Sequence, residues 1–371
     1  MRRLVCFFCS LLPLDNKKIV AISYSGRGYG DNPKYIVDEL LKRDCGLKIV
    51  WMLKKDEWST SLPPEVIPCR ISSLKAIYHM CTSKIWLDNC RRTFMVKRKK
   101  QFYMQTWHGF ALKRIEADAA GSLEDIYIQI AKKDSKHTDL LISDSRFMTS
   151  IYKNSFWYSG QVVEWGSPRN DIIILGNEQA KSKVRKHYNL PQDIKIVMYA
   201  PTFRANYSLA PYSLDFEKVL RACEEKLGGK FVFFTRLHPN IAKYSKELYG
   251  SDDRVIDATY YDDMQELLVA SDIVISDYSS LMFDFGLSLK PCFQFATDIT
   301  EYKSDRNFYF PIDSLPFPLS ENNGELIDAI NNFNIDEYKL RLNAFYESVG
   351  MVRIGNSASK CADFIIEKTK K

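Results

Sequence analysis

Asp272–Phe295 reads DIVISDYSSLMFDFGLSLKPCFQF. An apolar strand, Asp272–Ser276, runs into a polar turn, Asp277-Tyr278-Ser279-Ser280. A helical pattern over Ser280–Leu287 and a second apolar strand, Pro291–Phe295, follow. Strand–helix alternation of this kind builds a parallel sheet with helices on both faces.

The same alternation extends outward in both directions. Lys195–Tyr199 and Lys230–Thr235 read as further strands of the second half, with helices at Asp215–Leu227 and Asp262–Ala270. The first half offers strands at Lys18–Tyr24, Leu47–Leu53, Ser83–Leu87, Phe102–Thr106 and Asp139–Ser143. Pro33–Arg43 reads as a helix with Ile36, Val37, Leu40 and Leu41 on one face. A chain of 371 residues is too long for one ordinary core and suits two domains. Pro168, Gly176 and Pro191 punctuate Gly166–Gln192, which places the junction there and predicts domains over 1–170 and 171–371. The class is therefore α/β with two domains, without a fixed-period repeat or low-complexity tract.

Composition narrows the function classes. At 46% hydrophobic and 26% charged residues the chain is neither disordered nor collagenous. A net charge of +6 is compatible with anionic substrates or an anionic membrane surface, and does not by itself argue for nucleic acid. The nine cysteines are scattered. Only Cys6 and Cys9 have CxxC spacing, and no second pair completes a zinc site, so the expectation is a reducing cytoplasm and no metal cluster. The apolar run Leu4–Leu14 behind Arg2-Arg3 is too short to span a bilayer and lacks a small-residue cleavage site. It reads either as a helix in the membrane interface or as one packed on the first domain. The basic stretch from Arg91-Arg92 to Lys97-Arg98-Lys99-Lys100 reads as a solvated face, one that could also attract anionic lipid.

Ligands of parallel sheets bind beyond the carboxyl ends of the strands. In the second half three strand ends carry polar or cationic groups: Thr202 and Arg204; Arg236 and His238; Asp277, Ser279 and Ser280. Arginine forks suit phosphate oxygens, and hydroxyl residues opening a helix either cap it or offer its N–H groups to a phosphate. Together the loops read as a pyrophosphate cradle. In the first half His108 follows a strand, and Gly109 permits close approach to a substrate. The turn Ser25-Gly26-Arg27-Gly28-Tyr29-Gly30 is GxGxG and does not meet the dinucleotide fingerprint. His79, His137 and His187 carry no supporting signature.

As an ordered set, WHGFALKR (Trp107–Arg114), GSPRND (Gly166–Asp171), YAPTFR (Tyr199–Arg204), RLHPN (Arg236–Asn240) and SDYSSLMFDFGLSLKP (Ser276–Pro291) resemble the CDP-glycerol glycerophosphotransferase family. That family includes teichoic-acid primases and polymerases and related capsule enzymes. SYSGRGYGDNPKYI (Ser23–Ile36) is similar to its opening, and the resemblance runs from Lys18 to Ser359. It implies a GT-B architecture, two Rossmann-like domains facing across a cleft, with a CDP-activated donor on the C-terminal domain. The acceptor and a histidine base matching His108 would lie on the N-terminal domain, with Gly109, Lys113 and Arg27 on the acceptor side. His238 matches the family's second functional histidine. Final helices of such proteins often cross back to the first domain, which makes Glu337–Lys371 a candidate for that crossing.

The pattern departs from the family in four places. Phe110-Ala111 replace Thr-Pro, Ala205 replaces an acidic residue, Ser167 replaces an aromatic one, and GNSAS (Gly355–Ser359) lacks a lysine. These bear on the acceptor and the transferred polyol, not on fold or reaction class. The implied reaction moves glycerol phosphate, or a related polyol phosphate, from CDP-glycerol to a hydroxyl of a polymer or lipid-linked glycan acceptor and releases CMP. His108 would act as base; Arg204, His238, Ser279 and Ser280 would hold the pyrophosphate; Asp277 would fix its loop. No cofactor or metal is demanded by such a donor set. The expected location is the cytoplasmic face of the membrane, peripherally bound. Two rival readings stand: a nucleotide-sugar glycosyltransferase of the same fold, and a non-catalytic membrane-associated subunit of a polymer-assembly complex.

Overall fold

A computed structural model describes residues 2–54, 62–93, 97–204, 208–238, 241–250, 252–300 and 307–370. Ala205, Pro239 and Asn240, which belong to the motifs above, lie outside them. The chain forms two compact units, one from Met1–Gly109, Ile115–Asp171 and Gly350–Lys371, the other from Phe110–Arg114 and Ile172–Val349.

The first unit is built on β1 (Asp15–Ala21), β2 (Lys48–Leu53), β3 (Ile67–Arg70), β4 (Ser83–Asp88), β5 (Phe102–Gln105), β6 (Leu140–Ser143) and β7 (Gln161–Glu164). They make one sheet in the order β3-β2-β1-β4-β5-β6-β7. Every pairing is parallel, with Ile19 of β1 beside both Ile49 and Ile85. Side chains alternate between faces with period two. Ile19, Ala21, Ile49, Trp51, Ile85 and Leu87 pack on one face beneath Ile36, Val37 and Leu40 of the helix Asp31–Lys42. Val20, Val50, Met52, Trp86 and Tyr103 fill the other, against Ala76 and Met80 of the helix Leu74–Thr82. Sequence order reverses between β1 and β4, and loops leaving the carboxyl ends there define a ligand crevice.

The last helix, Ser357–Lys370, completes this unit by burying Cys361, Ala362 and Ile365 against the first face. The Asp171 carboxylate accepts the N–H groups of Ser357 and Ala358 at 3.1 and 2.8 Å, satisfying two of the donors left open at the helix start. Arg43 pairs with Asp363 further along. The helix Ile335–Val349 belongs to the second unit.

The N-terminal run forms a helix over Arg2–Leu11. Cys6 packs against Ile77 and Cys81, while Leu4, Phe7, Phe8 and Leu11 stay 58–67% exposed. It is thus both packed on the domain and apolar on its outer face. No helix among the described residues is long and apolar enough to cross a membrane.

The second unit contains β8 (Lys195–Tyr199), β9 (Phe231–Thr235), β10 (Val255–Asp257), β11 (Ile273–Ser276), β12 (Cys292–Phe295) and β13 (Leu319–Ser320). The order is β10-β9-β8-β11-β12-β13, again parallel throughout. Val197, Tyr199, Phe233, Ile275 and Phe293 pack beneath Val219, Leu220 and Cys223 of the helix Phe216–Leu227. Order reverses between β8 and β11, so this sheet too has a switch-point crevice.

Four strands go beyond the sequence reading, and one expectation is corrected. The four edge strands, β3, β7, β10 and β13, carry no clear sequence pattern, because an edge strand is short and buries only part of its residues. The basic stretch is not a uniformly solvated face. Arg91 and Arg92 are buried in ion pairs with Glu116, Asp134 and Asp88, and Lys97 pairs with Asp139; only Lys99 and Lys100 are exposed.

Candidate active site

In the first unit the switch-point loops follow β1, β4 and β5. His108 sits three residues beyond the end of β5, half-buried, between the rings of Trp107 and Tyr24 at 4.3 and 5.7 Å. Its Nδ1 lies 2.6 Å from the carbonyl oxygen of Asn89, at the end of β4. A carbonyl only accepts, so Nδ1 carries the proton and Nε2 keeps its lone pair. Burial lowers the imidazole pKa below its ordinary 6.5, opposed by the Asn89 hydrogen bond and by Asp31, so the ring is neutral near pH 7.

A fixed frame surrounds this base. The Asp31 carboxylate pairs with Arg169 and accepts the Tyr24 hydroxyl at 2.7 Å. Burial alone would raise the Asp31 carboxyl, but Arg169 holds it below the usual range. Arg169 also donates to the His108 carbonyl at 2.8 Å, and Asn32 donates to the Trp107 carbonyl at 3.1 Å. Tyr24, Ser25, Asp31 and Trp107 all hold left-handed backbone, φ 43, 57, 58 and 52°. Non-glycine residues there are strained, and such strain persists where surrounding contacts over-determine it. Gly109 follows at φ 129°, which a side chain would rarely adopt. Arg27 is exposed on the same β1 loop.

In the second unit the loops after β8, β9 and β11 leave one edge of the sheet. Asp277, buried at the end of β11, accepts the Thr202 and Tyr278 N–H groups at 2.9 and 2.6 Å and pairs with Arg204 at 2.8 Å. It thereby ties the β8 and β11 loops together. Ser279 Oγ accepts the Leu281 N–H at 3.3 Å, whereas Ser280, the N-cap of the short helix Leu281–Gly286, makes no side-chain cap. His238 is half-buried with its ring 4.8 Å from Phe203.

The two arginines differ. Arg204 is buried and gives all five of its N–H donors to protein. Nη1 donates to the carbonyl and hydroxyl of Thr202, Nη2 to Asp277 and Asp298, and Nε to Asp298. Burial would lower its pKa, but Asp298 and Asp277 raise it. Arg204, expected to bind phosphate, ties the loop after β8 to Asp277 and Asp298. Arg236 makes no ion pair among the described residues; its Nη1 donates to the carbonyls of Ala258 and Tyr261. Burial pushes its pKa down, with Asp263, Asp262 and Asp257 opposing only from beyond ion-pair reach.

A family model described as CDP-glycerol:poly(glycerophosphate) glycerophosphotransferase matches residues 4–367. The chain belongs to this family. It is 32% identical over 95% of its length to the teichoic acid poly(glycerol phosphate) polymerase of Staphylococcus epidermidis, and spans 51% of that protein. To the teichoic acid glycerol-phosphate transferase of Staphylococcus aureus it is 30% identical, covering 97% of this chain and 96% of that one. The solved wall teichoic acid polymerase TagF matches with a TM-score of 0.87 and 30% identity, over 100% of this chain and 93% of the other. With two parallel α/β units and that likeness, this glycerophosphotransferase-family chain has a GT-B-like fold.

Lys113, expected on the acceptor side, is carried by the second unit. Phe110, where the family usually has threonine, packs against Phe283, Phe310 and Phe345, and Lys113 bridges to Phe308. Sequence reasoning assigned no role to Asp31, Asn32, Arg169 or Asp298. The first three stand inside motifs already quoted, SYSGRGYGDNPKYI and GSPRND. Asp298 lies just beyond β12, where the strand-end rule alone would have found it. No cluster of three metal-binding side chains occurs among the described residues.

Proposed function

We propose that this protein transfers glycerol phosphate, or a related polyol phosphate, from CDP-glycerol to a hydroxyl of a cell-surface polymer, wall teichoic acid or capsule. Family membership supports the donor class. The observation that carries the mechanism is the 2.6 Å contact between His108 Nδ1 and the Asn89 carbonyl, which leaves Nε2 as a proton acceptor in a switch-point crevice. The acceptor hydroxyl oxygen forms a bond to the β-phosphorus, the bond to the α-phosphate oxygen breaks, and CMP leaves. The hydroxyl proton passes to His108 Nε2.

On the donor side, Arg236 supplies cationic stabilisation for the pyrophosphate, with His238, Thr202, Ser279 and Ser280 on the same loops. Arg204 and Asp277 hold those loops in place. Arg27 and Gly109 belong to the acceptor side. The decisive experiment offers the purified protein a panel of CDP-alcohols and analyses both products. CMP with a new phosphodiester supports the reading; a new glycosidic bond, or no turnover of any CDP-alcohol, defeats it.

The protein works peripherally at the cytoplasmic face of the membrane in this reading. The exposed Leu4, Phe7, Phe8 and Leu11 and the exposed Lys99 and Lys100 support it. Binding to anionic vesicles should weaken as salt rises, since exposed charges are screened within about 10 Å at 0.1 M. Equal sedimentation with anionic and neutral vesicles, or none, refutes it.

A further inference from the structure

The first unit also contains a cavity of about 260 Å³ that no step above uses. Its floor is apolar: Ile22 after β1, Ile71 after β3, and Ala76, Ile77 and Met80 on the helix Leu74–Thr82. Ser25, Ser72 and Thr93 also line it, and Asp88, Arg91 and Arg92 complete the lining. It adjoins the residues that position His108. Ser25 follows Tyr24, and Asp88 precedes Asn89, whose carbonyl holds the imidazole.

We infer that this cavity is a subsite for one neutral saccharide ring of the acceptor, an inference that rests on the acceptor-side role of the first unit proposed above. Charge decides against an anionic unit. Arg92 is paired with Asp88 at 3.0 Å, and Arg91 with Glu116 and Asp134 at 2.8 and 3.1 Å. The two guanidinium groups thus face three carboxylates, leaving no surplus positive charge to attract phosphate. Three hydroxyl residues lining an aliphatic floor match a pyranose, which offers hydroxyls at its edge and C–H groups on its face. At about 260 Å³ it lies below the roughly 300 to 1,000 Å³ of common ligand pockets. A cavity just under that range takes a single ring and not a chain.

The test uses the full-length protein with ¹³C-labelled Ile and Met methyl groups, titrated separately with methyl N-acetylglucosaminide, glycerol 3-phosphate and n-octanol. Saturable shifts at Ile22, Ile71, Ile77 and Met80 with the glycoside alone are expected. Ala76→Leu, which fills the cavity, and Ser72→Tyr, which narrows it, should each remove at least 80% of the shift while CDP-glycerol affinity stays within twofold. Two positions are used in case one variant folds poorly, as judged by its melting curve. Shifts caused by glycerol 3-phosphate or only by octanol, or shifts by the glycoside that survive in both folded variants, overturn the proposal, as does silence to all three probes. If the glycoside shifts the methyls while no CDP-alcohol is turned over, the subsite stands and the proposed reaction falls.

Discussion

The two switch-point crevices handle charge in opposite ways. In the first unit every buried guanidinium that surrounds the base is matched: Arg91 by Glu116 and Asp134, Arg92 by Asp88, Arg169 by Asp31. In the second unit Arg204 is matched by Asp277 and Asp298, whereas among the described residues Arg236 makes no ion pair and donates to two carbonyls. A balanced crevice keeps a histidine neutral and favours an uncharged hydroxyl. A crevice with one uncompensated cation favours an anion. The same fold, used twice, differs between its two crevices in how its buried arginines are paired with carboxylates.

The comparison breaks first at His108. His108→Ala should lower kcat by about 10²–10⁴-fold, the usual contribution of a positioned base, with CDP-glycerol affinity little changed. A variant keeping more than a third of wild-type kcat would remove the base from the first crevice. Next in size is Arg204→Ala, which leaves Asp277 and Asp298 without their buried partner. Breaking such a pair costs about 3–5 kcal/mol, so denaturant unfolding should show a clear loss of stability. An unchanged unfolding midpoint would return Arg204 to a phosphate-contacting role.

Arg236→Ala should weaken CDP-glycerol binding by about 1.5–3 kcal/mol, as measured by calorimetric titration, with stability nearly intact because no carboxylate loses a partner. Unchanged affinity would erase the contrast between the crevices. The smallest effect is on pH. Because burial holds His108 below 6.5, its active neutral form dominates above that lowered pKa. The rate constant kcat/KM should therefore fall only as pH drops through a point below 6.5 and be level by pH 7. An acid limb centred above 6.5 would mean that Asp31 and the Asn89 carbonyl outweigh burial.

Legibility in the sequence followed burial. The inner strands β1, β2, β4, β5, β6, β8, β9, β11 and β12 carry runs such as Ile49–Leu53 and Phe231–Thr235 that are apolar because both faces are covered. The edge strands β7 (QVVE) and β10 (VID) offer too few buried side chains to register. His108 and the loops after β8, β9 and β11 stand out in the sequence because each follows such a run. The ion pairs of Arg204 were not legible. Its partner Asp298 lies 94 positions away, and only the sheet order brings β12 beside β11 and Asp298 to the guanidinium. Lys113 was misplaced for a related reason. A motif is continuous in the chain, while the break between units falls inside WHGFALKR, after Gly109.

The closing helix has a consequence for biosynthesis. Ser357–Lys370 packs in one cluster with Ile36 and Leu40 of the helix Asp31–Lys42 and with Ile85 of β4, and its start is held by Asp171. On the ribosome, residues 1–171 emerge early with only part of that face covered, by the helix Asp31–Lys42, and some 180 further residues are made before the rest of the cover arrives. The second unit, complete at Val349, can therefore close before the first. The unit that is synthesised first is then the one whose core is completed last.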